Sequence, residues 1–172
     1  MAVGADRTGI EGLARAGRHG IESFVVALGD HPDRAAWDTA LTDAVAAHDP
    51  DLVVLAGFMK LAGPAFLGRF GGRTVNSHPA LSPAFPGTHA PRDALAYGVK
   101  ITGATLFVVD AGVDTGPIVA QVAVPVLPGD DETALHERIK SSEREMVVDW
   151  VGRLARESFT IDDRTISFGD PA

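Results

Sequence analysis

Leu52-Val53-Val54-Leu55-Ala56-Gly57 is the stretch whose reading decides the fold class: five apolar residues without polar alternation, ended by a glycine. A strand that is apolar on both faces belongs between helical layers, not at a solvated surface. Working outward, Pro64–Phe70 reads as a short helix, Gly71-Gly72 as a turn and Thr74-Val75-Asn76 as a second short strand. That is a β–α–β passage, the unit of an open parallel sheet. Upstream, residues 8–18 form a weak helix with Ile10, Leu13 and Ala14, ended by Gly20, and Ser23–Leu28 form a short apolar strand. Asp30 then caps a helix with Pro32 in its first turn, and Trp37, Leu41, Ala44, Val45 and His48 share one face before Asp49-Pro50 stops it. No strand is expected ahead of residue 8.

Downstream, residues 79–87 are an irregular loop with three prolines, and Pro91 opens a helix to about Tyr97. Strands follow over 102–109 and 118–126, and the turn-rich Asp110–Pro117 between them predicts an antiparallel pair. A long helix over 131–157 carries Leu135, Ile139, Met146, Val147, Trp150 and Leu154, and 159–161 with 165–168 make a terminal hairpin around Asp162-Asp163. The whole is an α/β fold, parallel in its first part and antiparallel in its last.

Composition narrows the function. The chain has 172 residues, 45% of them hydrophobic, and 15 basic against 23 acidic side chains give a net charge of −8. An acidic surface argues against broad binding to nucleic acid or an anionic membrane, though a local cluster of donors suffices for one small phosphorylated substrate. With no cysteine, disulfides, thiol catalysis and cysteine-type zinc sites are excluded. No apolar run approaches the roughly 20 residues of a membrane span, and no secretory signal opens the chain. The expectation is one soluble cytoplasmic domain.

Ligands of open α/β sheets gather beyond the carboxyl ends of strands. Two such ends carry polar residues. In Val75-Asn76-Ser77-His78-Pro79, Asn76 and His78 are two apart, so an extended backbone puts both side chains on one side. Together they can aim an amide and an imidazole at one reacting carbonyl oxygen. In Asp110-Ala-Gly-Val-Asp114-Thr-Gly-Pro117, an aspartate in a glycine-rich turn can orient a histidine and favour its charged form. Spacing alone leaves plainer readings open: a histidine at a strand end is often a structural hydrogen-bonding group, and such an aspartate is often a turn former. His89 is either a further polar contact or a cap for the helix at Pro91. The six histidines show no metal-ligand spacing. In the long helix, Glu143 interrupts the apolar line Leu135, Ile139, Met146, Val147. A carboxylate there needs a partner. Lys140 is the expected one, unless both face a polar substrate.

These residues resemble a known family. Val54-Leu-Ala-Gly-Phe-Met-Lys60, Asn76-Ser-His-Pro-Ala-Leu-Ser-Pro-Ala-Phe-Pro-Gly-Thr-His89 and Val113-Asp-Thr-Gly-Pro117 are similar to glycinamide ribonucleotide formyltransferases, over about Ala2 to Phe168. The resemblance implies a Rossmann-like open sheet, mostly parallel with an antiparallel C-terminal part, in a single domain over 1–172. It implies transfer of a formyl group from 10-formyltetrahydrofolate, without a metal, to the amine of glycinamide ribonucleotide in de novo purine synthesis, and leaves room for a homodimer. Carried over by position, Asn76, His78 and Asp114 are the catalytic trio. Asn76 and His78 stabilise the tetrahedral oxyanion, His78 helps deliver a proton to the leaving folate nitrogen, and Asp114 keeps His78 basic enough to be cationic when needed. Arg34, Met59, Lys60, Leu61, Ala62, Asn76, Asp110, Ala111, Gly112, Val113 and Asp114 line the folate site, and Lys140, Ser141, Ser142 and Glu143 touch the ribonucleotide. The sequence departs from the family at Phe107, where relatives often place a histidine, and at the start, where the family's first βα unit with its glycine-rich phosphate loop is expected and not found. The alternatives are a formyltetrahydrofolate hydrolase, or an inactive folate-binding fragment.

Overall fold

The computed structural model describes residues 1–169, which fall into two compact units. The first comprises residues 1–51 and 62–71. It opens with β1 (Ala2–Ala5), followed by α1 (Glu11–Arg18), β2 (Glu22–Val25), α2 (Arg34–Ala46) and, from its second segment, α3 (Pro64–Phe70). β1 corrects the expectation that no strand precedes the first helix. Ala-Val-Gly-Ala has a single β-branched residue and little strand propensity of its own. What makes it a strand is parallel pairing with β2, in register from Ala2 opposite Glu22 to Ala5 opposite Val25. Gly4 sits under the Phe24 ring, where any side chain would collide.

A second correction concerns the cap of α2. Asp30 lies in a short 3₁₀ turn (Leu28–Asp30), and the cap is Asp33, whose carboxylate accepts the Ala36 N–H at 2.8 Å. Asp33 immediately precedes the first helical residue in extended conformation, the position where a side-chain oxygen reaches the unpaired amides. Fully buried Trp37 anchors the helix face and donates its Nε1–H to the Val26 carbonyl at 2.9 Å. Next to it Asp38, 3% exposed, accepts from the Gly63 and Ala65 N–H groups at 3.1 and 2.8 Å, serving the N-terminus of α3. A buried carboxylate is tolerable because charge-assisted bonds satisfy it.

The second unit holds residues 52–61 and the described chain from Gly72 onward. Its four-stranded sheet has the order β3 (Val53–Leu55), β4 (Thr74–His78), β5 (Ile101–Val108), β6 (Ile118–Pro125). β3 and β4 are parallel, whereas β4–β5 and β5–β6 are antiparallel. Parallel pairing is thus confined to the N-terminal strands, as the sequence pattern anticipates. β3 differs from expectation in burial: it is an edge strand, and Val54 is 37% exposed. α4 (Ala90–Tyr97) ends at Gly98, whose φ of +83° is a left-handed helix stop. α5 (Glu132–Leu154) is capped by Asp131 and lays Leu135, Ile139, Met146 and Leu154 against Val75, Leu106, Val108 and Val124 of the sheet. Each large aliphatic side chain buried there contributes roughly 1.5–3 kcal/mol. The hairpin of β7 (Phe159–Asp162) and β8 (Thr165–Phe168) closes the described chain.

Candidate active site

β4 supplies two of the expected residues. Asn76 and His78 lie two apart on this strand, so their side chains leave it on the same face. In the antiparallel register Asn76 stands opposite Phe107 and His78 opposite Thr105 of β5. His78 is 3% exposed, and both its ring nitrogens face oxygen. Nε2 is 2.8 Å from the Phe85 carbonyl and Nδ1 is 3.4 Å from Asp114 Oδ2. A carbonyl oxygen only accepts, so Nε2 carries the hydrogen of that bond. A doubly protonated ring donates to carbonyl and carboxylate together, whereas a neutral ring serves one. The Asn76 side chain makes no hydrogen bond among the described residues.

Asp114 is presented by the turn between β5 and β6 with a left-handed backbone, φ +54°. Aspartate is among the few residues other than glycine that adopt this conformation readily. Its Oδ2 also accepts the Gly87 N–H at 2.8 Å, which ties the turn to the loop after β4. Within the turn Asp110 Oδ1 accepts from the Gly112 N–H at 3.0 Å and the Thr115 hydroxyl at 2.7 Å. Ala111, Gly112 and Val113 are exposed. Phe107, the departure from the family pattern, is 3% exposed with its ring beside Gly116. An apolar ring therefore fills this place beside the turn.

The loop over 79–87 is fastened by a buried hydroxyl. Thr105 Oγ1 donates to the Ala80 carbonyl at 2.7 Å, and accepts from the Ser82 N–H at 2.9 Å and Gln121 Nε2 at 3.0 Å. Gln121 also donates to the Ser82 carbonyl at 3.0 Å. The Ser82–Pro83 bond is cis, and Phe85 has φ +53°. A left-handed aromatic residue is uncommon, and here it aims a carbonyl at His78.

The remaining expected residues lie on other segments. Met59, Lys60 and Leu61 follow β3 in irregular backbone, with Met59 63% and Leu61 52% exposed. Ala62 and Arg34 belong to the first unit, where the Arg34 guanidinium stacks 5.2 Å from the centre of the Trp37 ring. Lys140, Ser141, Ser142 and Glu143 are on α5, without a hydrogen bond to Asn76, His78 or Asp114 among the described residues. Lys140 corrects the expected pairing: it binds Glu137 at 2.7 Å, holding that carboxyl below its ordinary range, and not Glu143. Helix geometry allows either partner at a spacing of three, and a glutamate on the N-terminal side of the lysine is the better oriented one. Half-buried Glu143 is left with no ion pair among the described residues. Those residues also hold no cluster of three or more histidine or carboxylate side chains suited to a metal. Among the described residues no helix is long and apolar enough to cross a membrane.

The sequence pattern described as "Formyl transferase" matches residues 1–151. Phosphoribosylglycinamide formyltransferase of Mycobacterium tuberculosis (strain H37Rv) is 59% identical over 169 residues, covering 98% of this chain and 78% of that protein. The chain belongs to the phosphoribosylglycinamide formyltransferase family. The Escherichia coli (strain K12) member is 36% identical over 158 residues, 89% of this chain and 74% of that protein. Among solved structures, glycinamide ribonucleotide transformylase 1 of Symbiobacterium toebii superposes with a TM-score of 0.95 at 41% identity, covering 99% of this chain and 81% of that one. The α/β fold of the formyltransferases and a folate-dependent formyl transfer in purine biosynthesis are therefore what this family member shares with its relatives.

Side-chain spacing offered the Asn76–His78 pair and an aspartate turn as candidates, and the family resemblance joined Asp114 to them. Spacing missed the groups that fix the cluster in place: the Phe85 carbonyl, the Gly87 amide and the Thr105–Gln121 pair. Two of these are backbone groups, which no residue type announces. The only signal for them was the Phe85-Pro-Gly87 run itself.

Proposed function

We propose that Asn76, His78 and Asp114 carry out transfer of a formyl group from 10-formyltetrahydrofolate to the amine of glycinamide ribonucleotide, in the cytoplasm. The observation that supports this most directly is the buried His78 ring, held between a carboxylate at Nδ1 and a carbonyl at Nε2. The amine attacks the formyl carbon, and the carbonyl π electrons move to oxygen. The Asn76 amide, unpaired among the described residues, and the His78 Nε2–H donate to that oxyanion. For this, Nε2 exchanges the Phe85 carbonyl for the substrate oxygen. As the tetrahedral species collapses, the C–N bond to the folate breaks and the leaving nitrogen takes a proton from His78. The ring then regains the proton that the attacking amine sheds. Asp114 orients the ring and favours its charged form before and after that transfer.

In the same reading the folate lies against Met59, Lys60, Leu61 and the backbone of Asp110–Asp114. The ribonucleotide meets Lys140, Ser141, Ser142 and Glu143. Glu143, with no ion pair among the described residues, suits a carboxylate awaiting hydroxyl donors, which its substrate would bring. The test is a formyl-transfer assay with 10-formyltetrahydrofolate, run with and without glycinamide ribonucleotide. Formylated ribonucleotide appearing in proportion to folate consumed is the expected result. Folate deformylation at a rate indifferent to the ribonucleotide would instead make the chain a hydrolase and overturn the reading.

A further inference from the structure

The turn that presents Asp114 is held from three directions. Asp110 braces it from within, and Gly87 binds the Asp114 carboxylate from the loop after β4. The third hold comes from the end of the chain. Arg164 Nη2 donates to the carbonyl oxygens of Thr115 at 3.0 Å and Gly116 at 3.3 Å, the two residues that follow Asp114. Arg164 occupies the two-residue turn between β7 and β8, next to Asp163 with φ +50°. The other end of that hairpin is anchored on α5. The Phe168 ring lies 5.7 Å from Trp150, and the Arg153 guanidinium stacks 4.0 Å over Phe168. The hairpin is thus a strut, with the helix at one end and the Asp114 turn at the other.

We infer that Arg164 is a positioning residue for the Asp114–His78 pair, acting through the backbone of Thr115 and Gly116. The inference rests on the catalytic reading of that pair. Three observations make the turn sensitive to this support. The His78 Nδ1 to Asp114 Oδ2 separation is 3.4 Å, longer than the roughly 2.7–2.9 Å of a charge-assisted bond, so a small shift of the turn makes or breaks the contact. Asp114 is left-handed, and its conformation depends on what holds its neighbours. Gly116 leaves no slack, because a Cβ there would overlap the Val108 carbonyl. A guanidinium suits the role: its donors are planar and rigid, and its charge does not change across the working pH range.

The test is steady-state formyl transfer by the full chain, with melting temperature measured on every variant. R164A is expected to lower kcat about tenfold and leave both KM values within about twofold, as misplacement of a catalytic group does. R164K, which keeps a charged donor, is expected to recover most of that loss. In a D114N background the same R164A change should cost less than about twofold, because its route through the carboxylate is already gone. A folded R164A enzyme with unchanged kcat would overturn the inference, and so would an equal loss in the D114N background. Failure of the underlying reading looks different. H78A as active as the parent removes the catalytic assignment altogether, whereas an inactive H78A beside an unaffected R164A removes only the role of Arg164.

Discussion

Two aspartate–cation pairs of the second unit differ in one instructive respect. Asp130 and Arg138 meet through two bonds of 2.7 and 2.8 Å, and the Leu127 N–H adds a third at 2.7 Å. Hydrogen bonding from Arg138 pulls the Asp130 carboxyl down to about 2, and the same pairing raises the guanidinium. Both carboxylate oxygens are engaged, and neither charge can change near neutral pH. Asp114 and His78 meet once, at 3.4 Å, through an oxygen shared with the Gly87 amide. Their side chains are 13% and 4% exposed, against 6% and 29% for Asp130 and Arg138, so burial alone does not separate the pairs. What separates them is saturation. A bidentate arginine pair fixes a loop to a helix. A single long contact to an imidazole leaves a group that can exchange partners and protons, which chemistry requires.

The sharpest way to break this comparison is to remove each cation. H78A is expected to lower kcat for formyl transfer by about 10³–10⁴ with the fold intact, because residues of such a constellation act as a unit. R138A is expected to leave kcat at the parent value in the folded protein. Parent-like turnover by H78A, read by appearance of deformylated folate, would erase the distinction. Next in size, N76A removes one oxyanion donor and is expected to cost about 10²-fold in kcat, with little change in KM. A KM effect alone would make Asn76 a binding residue. Smaller again, E143Q is expected to raise KM for the ribonucleotide about tenfold while KM for the folate stays put, the loss of one charged hydrogen bond. An equal rise in both would remove Glu143 from the ribonucleotide side.

The smallest effect is on stability and follows the saturated pair. Asp130 is depressed from 3.8 to about 2 on folding, so its contribution is fully present above its unfolded value and disappears as pH falls through its folded value. D130N should therefore melt a few degrees below the parent from neutral pH down to about 5. Denaturant titrations should show the gap closing between about pH 4 and pH 2. A gap that persists at pH 2 would mean that the loss reflects packing and not charge.

Much of this arrangement was legible before any coordinates. An apolar run ended by Gly57 means a strand, though not how deeply it is buried, and the spacing of Asn76 and His78 means one shared face, because both follow from local backbone periods. The same holds for the long turn between two β-branched runs that became β5 and β6. Other features were decided by partners far along the chain. Ala2–Ala5 is a strand because β2 pairs with it, Lys140 chose Glu137 over Glu143, and Asp38 caps a helix whose first residue is 26 positions away. The groups that hold the site are of this kind: the Phe85 carbonyl, the Gly87 amide, and the carbonyls gripped by Arg164. Every residue carries a carbonyl, and all but proline an amide, so residue type cannot say which of them will be aimed at a side chain. That choice is made only when the tertiary fold brings distant segments within hydrogen-bonding distance.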